Sequence, residues 1–334
     1  MNPGVATGPS DNEIIEALGG AVCGQPITSV RRRPYRYATS FLLEELTLEL
    51  TKGVSRSFIL KDLSWEGLTD DARRSKPEFL YEPRRELETY RRILAPSGIG
   101  PRCYASADRL SGSGCWLILE KVPGVELWQL GDTRTWEWVA RWIAGMHARF
   151  LGQHAELRSN NPHLLQYDRE WFETWAARAR TALRNSTDER ARALLGALGC
   201  YREVAGSLSA LPSTFVHGEF FPSNILVEAD SDRPDVWPVD WEMAAIGPGL
   251  LDTAALVTGW DRQDRDGLVS AYRLAMIDHG VAMGSLSEVL QDVARCQLHL
   301  ALQWLGWARN WNPPPEHARD WLGEALSSAR ELTL

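Results

Sequence analysis

A chain of 334 residues is too long for one ordinary domain and about right for two lobes. Its composition, 44% hydrophobic and 24% charged, is that of a soluble globular protein. The formal net charge of −8, with basic residues scattered among acids, argues against a general nucleic-acid role and suits a cationic or neutral small substrate.

The first ten residues are rich in Gly, Pro and Ser and are expected to be disordered. A short helix is expected near residues 12–18, and residues 27–63 read as strands. In that stretch "YATSFLLEELTLEL" and "SFILKDL" flank the turn "TKGVSR", which predicts an antiparallel hairpin. A polar loop, "SWEGLTDDARRSKP", leads to a helix beginning near Pro83, with Leu87, Tyr90 and Leu94 as its apolar stripe and Pro96 with Gly98 as its end. "RCYASADRLSGSGCWLILEKVPG" gives two more strands around a Gly/Ser turn. From Val125 onward helical periodicity dominates, in "DTRTWEWVARWIAGMHARF", "DREWFETWAARARTAL", "DERARALLGALGCYREVAGSL" and "LSEVLQDVARCQLHLALQWLGWA". One island interrupts it: "NILVEAD" and "VWPVDWEMA", two short strands joined by the turn "SDRPD". The expectation is an α+β, two-lobed molecule: a lobe with a small antiparallel sheet over residues 1–124, a hinge near 120–124, and a larger, mainly helical lobe over 125–334.

Cysteines 23, 103, 115, 200 and 296 include no C-x-x-C pair, so neither a zinc site nor a disulfide framework is indicated. The start lacks a basic region followed by an apolar core, so no signal peptide is expected, and no apolar run approaches the ~18 residues of a membrane span. The sequence reads as cytoplasmic and reduced. Fifteen tryptophans, many at helical spacing, are first of all core residues, with a minority available to line a cleft for a flat or sugar-like substrate.

Phosphoryl transfer needs charge neutralisation and positioning more than covalent chemistry. It asks for a cation on the nucleotide phosphates, hard oxygen ligands for Mg²⁺, and a group to receive the proton of the acceptor hydroxyl. "FVHGEFFPSNIL" carries His217-x-Glu219-x-x-x-x-Asn224, the spacing of a base and a metal ligand in a phosphoryl-transfer loop. Glu219 would orient and deprotonate the hydroxyl, Asn224 would give its side-chain oxygen to Mg²⁺, and His217 reads as a pin for the loop. Asp240, ending "VWPVD", would meet Asn224 at one end of a strand hairpin and supply the second oxygen ligand. Lys61, ending "FILK", resembles the strand lysine that contacts α- and β-phosphates. Glu86 lies on or beside the buried face of the next helix, four residues before Tyr90, where a carboxylate needs a cation that Lys61 would supply. Glu82 and Glu88 are rivals whose helical phase points elsewhere.

"HGEFFPSNIL" followed by "VDWEMAAIGPGLLDTAAL" resembles the aminoglycoside phosphotransferase and choline-kinase-like branch of the protein-kinase-like fold, and the resemblance runs over most of residues 28–330. It implies ATP held between lobes, with adenine on hinge backbone near Glu120 and Val122, Mg²⁺ on Asn224 and Asp240, and Asp252 bracing the catalytic loop. It implies a small-molecule hydroxyl acceptor of aminoglycoside, choline or glycosylated natural-product type. That acceptor would lie against helices of the second lobe, including "YDREWFETWAARAR" and residues near 260–264.

Two positions depart from the family pattern. The base is Glu219 rather than aspartate, which carries the carboxylate about 1.5 Å further. The phosphate-covering segment, "RRRPYRYATSFLLEEL", has no glycine, so Tyr37, Thr39 or Ser40 would have to help backbone amides there. These departures motivate a rival reading, a catalytically silent protein that keeps the fold to bind a ligand or nucleotide. No P-loop signature G-x-x-x-x-G-K-[ST] occurs, and nothing after Asp240 resembles the activation segment of a protein kinase.

Overall fold

The computed structural model describes residues 8–19, 25–35, 40–51, 53–108, 114–228, 233–307 and 319–334. Cys23, Tyr37, Thr39, most of the Gly/Ser turn before Cys115 and the first seven residues lie outside the described residues. The chain divides into two compact units, Met1–Val122 and Pro123–Leu334.

The first unit opens on α1 (Asp11–Leu18), where Ser10 and Glu13 form a reciprocal cap: each side chain accepts from the other's backbone N–H. Strands β1 (Ile27–Pro34), β2 (Leu43–Leu50), β3 (Ser55–Asp62), β4 (Cys103–Asp108) and β5 (Cys115–Glu120) form one antiparallel sheet in the order β1-β2-β3-β5-β4. The two-residue period of a strand sorts their side chains. Leu46, Leu48, Leu50, Phe58, Leu60, Trp116 and Ile118 pack with Ile14 and Leu18 of α1. Burying Ile14 and Leu18 completely contributes roughly 2 kcal/mol apiece. The odd-numbered positions of β3, Lys61 among them, therefore take the other face of the sheet.

Between β3 and β5 the chain forms α2 (Asp70–Ser75), then α3 (Pro83–Glu88), which runs through a π-helical stretch, Thr89–Leu94, into α4 (Ala95–Ser97). Pro83 starts α3 and Gly98 closes α4 in the left-handed region at φ 66°, while Leu87, Tyr90 and Leu94 are buried, as the periodicity predicts. α2 corrects the expectation of a polar loop. Thr69 Oγ1 accepts from the Ala72 N–H, Asp70 and Asp71 sit at the positive end, and Arg73 and Arg74 at the negative end. β2 also begins later than expected, at Leu43; Phe41 makes only an isolated bridge with Leu68.

The second unit is mainly helical. It contains β6 (Val125–Glu126), α5 (Thr133–Phe150), α6 (His154–Asn160), β7 (Leu165–Gln166), α7 (Arg169–Leu183), α8 (Glu189–Ala197), α9 (Tyr201–Ala210), β8 (Ser213–Val216), β9 (Ile225–Val227), β10 (Val236–Pro238), β11 (Ala245–Pro248), α10 (Leu250–Leu256), α11 (Arg262–Asp278), α12 (Leu286–Trp307) and α13 (Trp321–Glu331). Asp132, Asp168, Asp188, Asp261 and Asp320 cap α5, α7, α8, α11 and α13 by accepting from first-turn N–H groups. Two small sheets, β10-β9-β6 and β7-β11-β8, frame two connecting segments. Residues 217–224 and 239–244 are tied together at one end by Ile225↔Pro238 and at the other by Val216↔Ala245. Among the described residues no helix is long and apolar enough to cross a membrane.

Candidate active site

In the first unit Lys61 Nζ lies 2.9 Å from Glu86 Oε1 and 2.7 Å from Oε2. Both side chains are almost fully buried, so each neutralises a charge the other could not tolerate alone. The register places Lys61 opposite Leu43 on β2 and Leu117 on β5, and Glu86 stands in the first turn of α3. The two rival glutamates are otherwise engaged: Glu82 Oε1 caps α3 by accepting from the Arg84 N–H, and Glu88 pairs with Arg92 and Arg91. Glu120 ends β5 with its N–H donated to the Arg102 carbonyl at 2.8 Å, while its Oε2 accepts from the Arg102 N–H at 3.2 Å. Val122 lies past the last paired residue of that strand.

In the second unit the loop from His217 to Asn224 is fixed by its own backbone. The buried Asp252, in the first turn of α10, accepts from the His217 N–H (Oδ2, 2.7 Å) and the Gly218 N–H (Oδ1, 2.9 Å). His217 Nε2 donates to the Val239 carbonyl at 2.9 Å, and its Nδ1 accepts from the Glu219 N–H at 3.3 Å, which sets one neutral tautomer. The imidazole thus pins the residue before Asp240 to the residue carrying the candidate base. Trp241 closes over it, ring centroids 4.4 Å apart, and stacks on Phe215 of β8. His217 is therefore a pin, as its place in the motif suggested.

Asn224 donates its Nδ2 to the Glu219 carbonyl at 3.0 Å, which commits the amide nitrogen and leaves Oδ1 as the hard donor atom. The β9–β10 register continues one step further, with the Val239 N–H on the Asn224 carbonyl at 2.9 Å. Asn224 therefore pairs with Val239, and Asp240 follows one residue beyond that pairing at the same end of the hairpin. Asp240 holds φ 65° and ψ 67°, a left-handed conformation that costs a non-glycine residue about 1 kcal/mol or more and is concentrated at functional positions. Among the described residues no group of three or more His, Cys, Asp and Glu side chains could hold a metal. A donor set of one amide and one carboxylate oxygen suits Mg²⁺, which keeps several of its six positions for phosphate and water.

Several contributors were given no role by the sequence reading, although His147 lies in "WIAGMHA", a segment that shares the family resemblance. His147 on α5 places Nε2 3.2 Å from Asp252 Oδ2 and Nδ1 2.9 Å from the Tyr272 hydroxyl on α11. Burial, and then the charge of Asp252, pushes the Tyr272 phenol well up, so it stays protonated and donates to His147. Glu242, two residues beyond Asp240, is a further buried carboxylate. The tryptophans expected to meet an acceptor are largely core: Trp175 is buried between Trp171 and Trp307, Trp260 packs on Trp136, and Asp261 caps α11. An open pocket of about 840 Å³ is lined by residues that include Asp168, Arg169, Glu173 and Tyr201; the first three belong to the segment "YDREWFETWAARAR" expected to face an acceptor, whereas Lys61, Glu86, Glu219, Asn224 and Asp240 do not line it.

The phosphotransferase enzyme family matches residues 43–284, well over half of the chain. No curated protein matches the sequence. Among solved structures, ethanolamine kinase from Plasmodium vivax is similar with a TM-score of 0.60 at 12% identity, over 95% of this chain and 85% of that one. Aminoglycoside 2'-phosphotransferase-IIIa, solved with GDP, gives 0.61 at 12% identity, over 97% of each chain. Choline kinase LicA from Streptococcus pneumoniae gives 0.59 at 13% identity, over 96% of this chain and 97% of that one. At such identities these likenesses show the protein-kinase-like fold, and the family match supplies the chemistry. The chain belongs to the phosphotransferase enzyme family, as a small-molecule kinase that moves a phosphoryl group from ATP to a hydroxyl.

Proposed function

We propose that the chain phosphorylates a hydroxyl of an amine-bearing small molecule, with Mg²⁺ and with the residues read from the sequence in their expected roles. Lys61, oriented by Glu86, holds the α- and β-phosphates, and backbone at Glu120 and Val122 receives the adenine edge. Asn224 Oδ1 and the Asp240 carboxylate would hold Mg²⁺, which supplies charge neutralisation on the transferring phosphoryl group. Glu219 accepts a hydrogen bond from the acceptor hydroxyl, orients its oxygen and takes its proton as the new P–O bond forms. A loose transition state asks only modest basicity, but it still needs a carboxylate to take the proton, and the loop fixes where that carboxylate stands.

The observation that carries this reading is the Asn224 to Glu219 hydrogen bond together with the His217 bridge to Val239. They lock the candidate base, the amide ligand and the segment carrying Asp240 into one rigid unit. That arrangement favours a working phosphotransfer loop over a silent binding protein. For the acceptor class, the net charge of −8 favours cationic amino alcohols, and similar structures include kinases of ethanolamine and choline and an aminoglycoside phosphotransferase.

The test is Mg-ATP turnover against choline, ethanolamine and a set of aminoglycosides. Asp240→Ala should abolish turnover, and Glu219→Gln should lower kcat by about 10²-fold or more, whereas Glu219→Asp should retain measurable activity. Undiminished turnover in Asp240→Ala removes the metal assignment. Full activity in Glu219→Gln removes the base.

A further inference from the structure

Gly249 has an ordinary helical backbone, φ −60° and ψ −25°, so no conformational demand explains a glycine there. The demand is one of space. A Cβ at this position would lie 2.7 Å from His147 Nδ1 and 2.9 Å from the Tyr272 hydroxyl oxygen. Those two atoms are themselves 2.9 Å apart, so a single hydrogen bond fills the side of Gly249 where a side chain would go. That bond joins α11 to α5 within the second unit, and Tyr272, His147 and the adjoining Asp252 are all buried.

The donors and acceptors fix the direction of each bond. Asp252 accepts the His217 N–H on Oδ2 and the Gly218 N–H on Oδ1, and a carboxylate so used has only acceptor capacity left. His147 Nε2, 3.2 Å from Oδ2, therefore carries the proton and donates. Its Nδ1 is left as an acceptor, and the Tyr272 hydroxyl donates to it. The backbone of His147 is held separately, because Thr214 Oγ1 on β8 donates to the His147 carbonyl at 2.7 Å. What the Tyr272 hydroxyl adds is control of the ring: its rotation, and which nitrogen carries hydrogen. Without that hydroxyl the buried Nδ1 lone pair has no donor, and the other tautomer, protonated on Nδ1, has no N–H for Asp252. Oδ2 of Asp252 is also the oxygen that holds the His217 N–H, so losing its second donor loosens the start of the loop over residues 217–224.

We propose that Tyr272 is a positioning residue for phosphoryl transfer: its hydroxyl holds His147 as the Nε2–H tautomer aimed at Asp252, and through Asp252 it sets the loop that carries Glu219 and Asn224. Buried on α11, it acts only through His147 and moves no proton in the reaction. Its contribution falls on kcat, through the placement of Glu219, since a misplacement of about 1 Å can cost about 10²-fold. This inference rests on the reading that Glu219 takes the proton of the acceptor hydroxyl.

Steady-state kinetics and nitrogen-15 NMR of the histidine rings, both on the full chain, test it. His147 is identified by the signal missing from His147→Gln, and in the parent its Nε2 should be protonated and its Nδ1 bare. Tyr272→Phe keeps the ring and deletes only the hydroxyl. It should lower kcat by about tenfold, leave KM for Mg-ATP within about twofold, and abolish that nitrogen signature. Gly249→Ala forces the pair apart without removing either member, so it should give the same kinetic split and the same spectral change, and it decides the matter if Tyr272→Phe does not fold. Parent-level kcat in Tyr272→Phe overturns the proposal. So does a fall in kcat with the His147 signature intact, or one in which KM worsens equally as the melting temperature drops, since either makes the residue merely structural. If the parent transfers no phosphoryl group to any acceptor, or Glu219→Gln is as active as the parent, the reading of Glu219 falls and this inference falls with it. If the parent is active, Glu219→Gln is crippled and Tyr272→Phe matches the parent, only this inference falls.

Discussion

Glu219 extends about 1.5 Å further than an aspartate would, and the backbone beneath it has almost no freedom to compensate. Its N–H is on His217, its carbonyl receives Asn224, and the preceding residue, Gly218, sits at φ +86°. A Cβ at Gly218 would lie 2.4 Å from the Met243 carbonyl oxygen and 2.5 Å from the Tyr167 hydroxyl, two groups already hydrogen-bonded to each other at 3.0 Å. Gly53, at φ +70°, has nothing within 4 Å of its missing Cβ and so isolates the backbone cost. Gly218→Ala should lose roughly 3 kcal/mol or more in urea unfolding against about 1 kcal/mol for Gly53→Ala, because only the first adds a clash to the left-handed strain. Equal losses would mean that the loop yields, and that its rigidity does not set where Glu219 lies. At this scale the arrangement of the proposed site was legible in the sequence because its members are local: Glu219, Asn224 and Asp240 fall within one short motif and its hairpin. Asp252 was readable from its place in "GPGLLD". His147 and Tyr272 were not, since they reach Asp252 and each other across 105 and 125 residues from helix faces that look like ordinary core.

α13 reaches the loop over residues 217–224 from the far end of the sequence. Trp321 stacks on Trp304 of α12 with centroids 5.4 Å apart, and both rings lie near Phe221, two residues after Glu219. At its other end the helix is held by Arg265 of α11, which donates Nη1 and Nη2 to the two Glu331 oxygens at 2.9 and 3.0 Å. The hydrogen bonds from Arg265 hold the Glu331 carboxyl below its ordinary range, so the unfolded chain takes up this proton first as pH falls. The contribution is therefore complete above the ordinary glutamate range and is lost as pH drops through and below it. Glu331→Gln should destabilise the second unit by about 1–3 kcal/mol at pH 7, with the difference shrinking under acid, as measured by urea unfolding at the two pH values. A pH-independent difference would assign the loss to packing. α5, α7, α8 with α9, and α12 were visible through their periodicity, whereas α11 and α13 were not singled out from the sequence. α2 was not, because a helix of six residues with only Ala72 buried has no periodicity to show, and the strands β7 and β11 are too short to register. The pairing of α13 with the loop depends on side chains more than eighty residues apart in sequence, which no local pattern records.

The division of the molecule into a sheet-based unit and a helical unit follows from the order of its elements, and that order was legible along the chain. The acceptor was not, because most of the tryptophans in the segments that pointed to it pack against other aromatic rings. Trp175, Trp304, Trp307 and Trp321 stack on one another, and a tryptophan that fills a core and one that lines a cleft look the same in sequence. The same aromatic interior buries His299 of α12, with its ring edge-on to Phe172 at 4.7 Å and Nδ1 3.1 Å from the Tyr201 hydroxyl. Burial pushes the His299 imidazole down to about 3, against an ordinary value near 6.5. Between those values the unfolded chain carries a proton that the folded chain refuses. The folded state is fully favoured above about 6.5 and loses roughly 1.4 kcal/mol per pH unit from this residue as pH falls toward about 3. Tryptophan fluorescence reports the transition in the second unit, since of fifteen tryptophans only Trp65 and Trp116 precede residue 123. His299→Gln keeps a polar partner for Tyr201 and does not titrate. At pH 7 it should be less stable than the parent by about 1–2 kcal/mol through lost packing, yet its stability should fall less steeply below pH 6.5, so that the two curves converge or cross near pH 5. Parallel curves would place the acid sensitivity of the molecule in its carboxylates, with Glu331 the first to test.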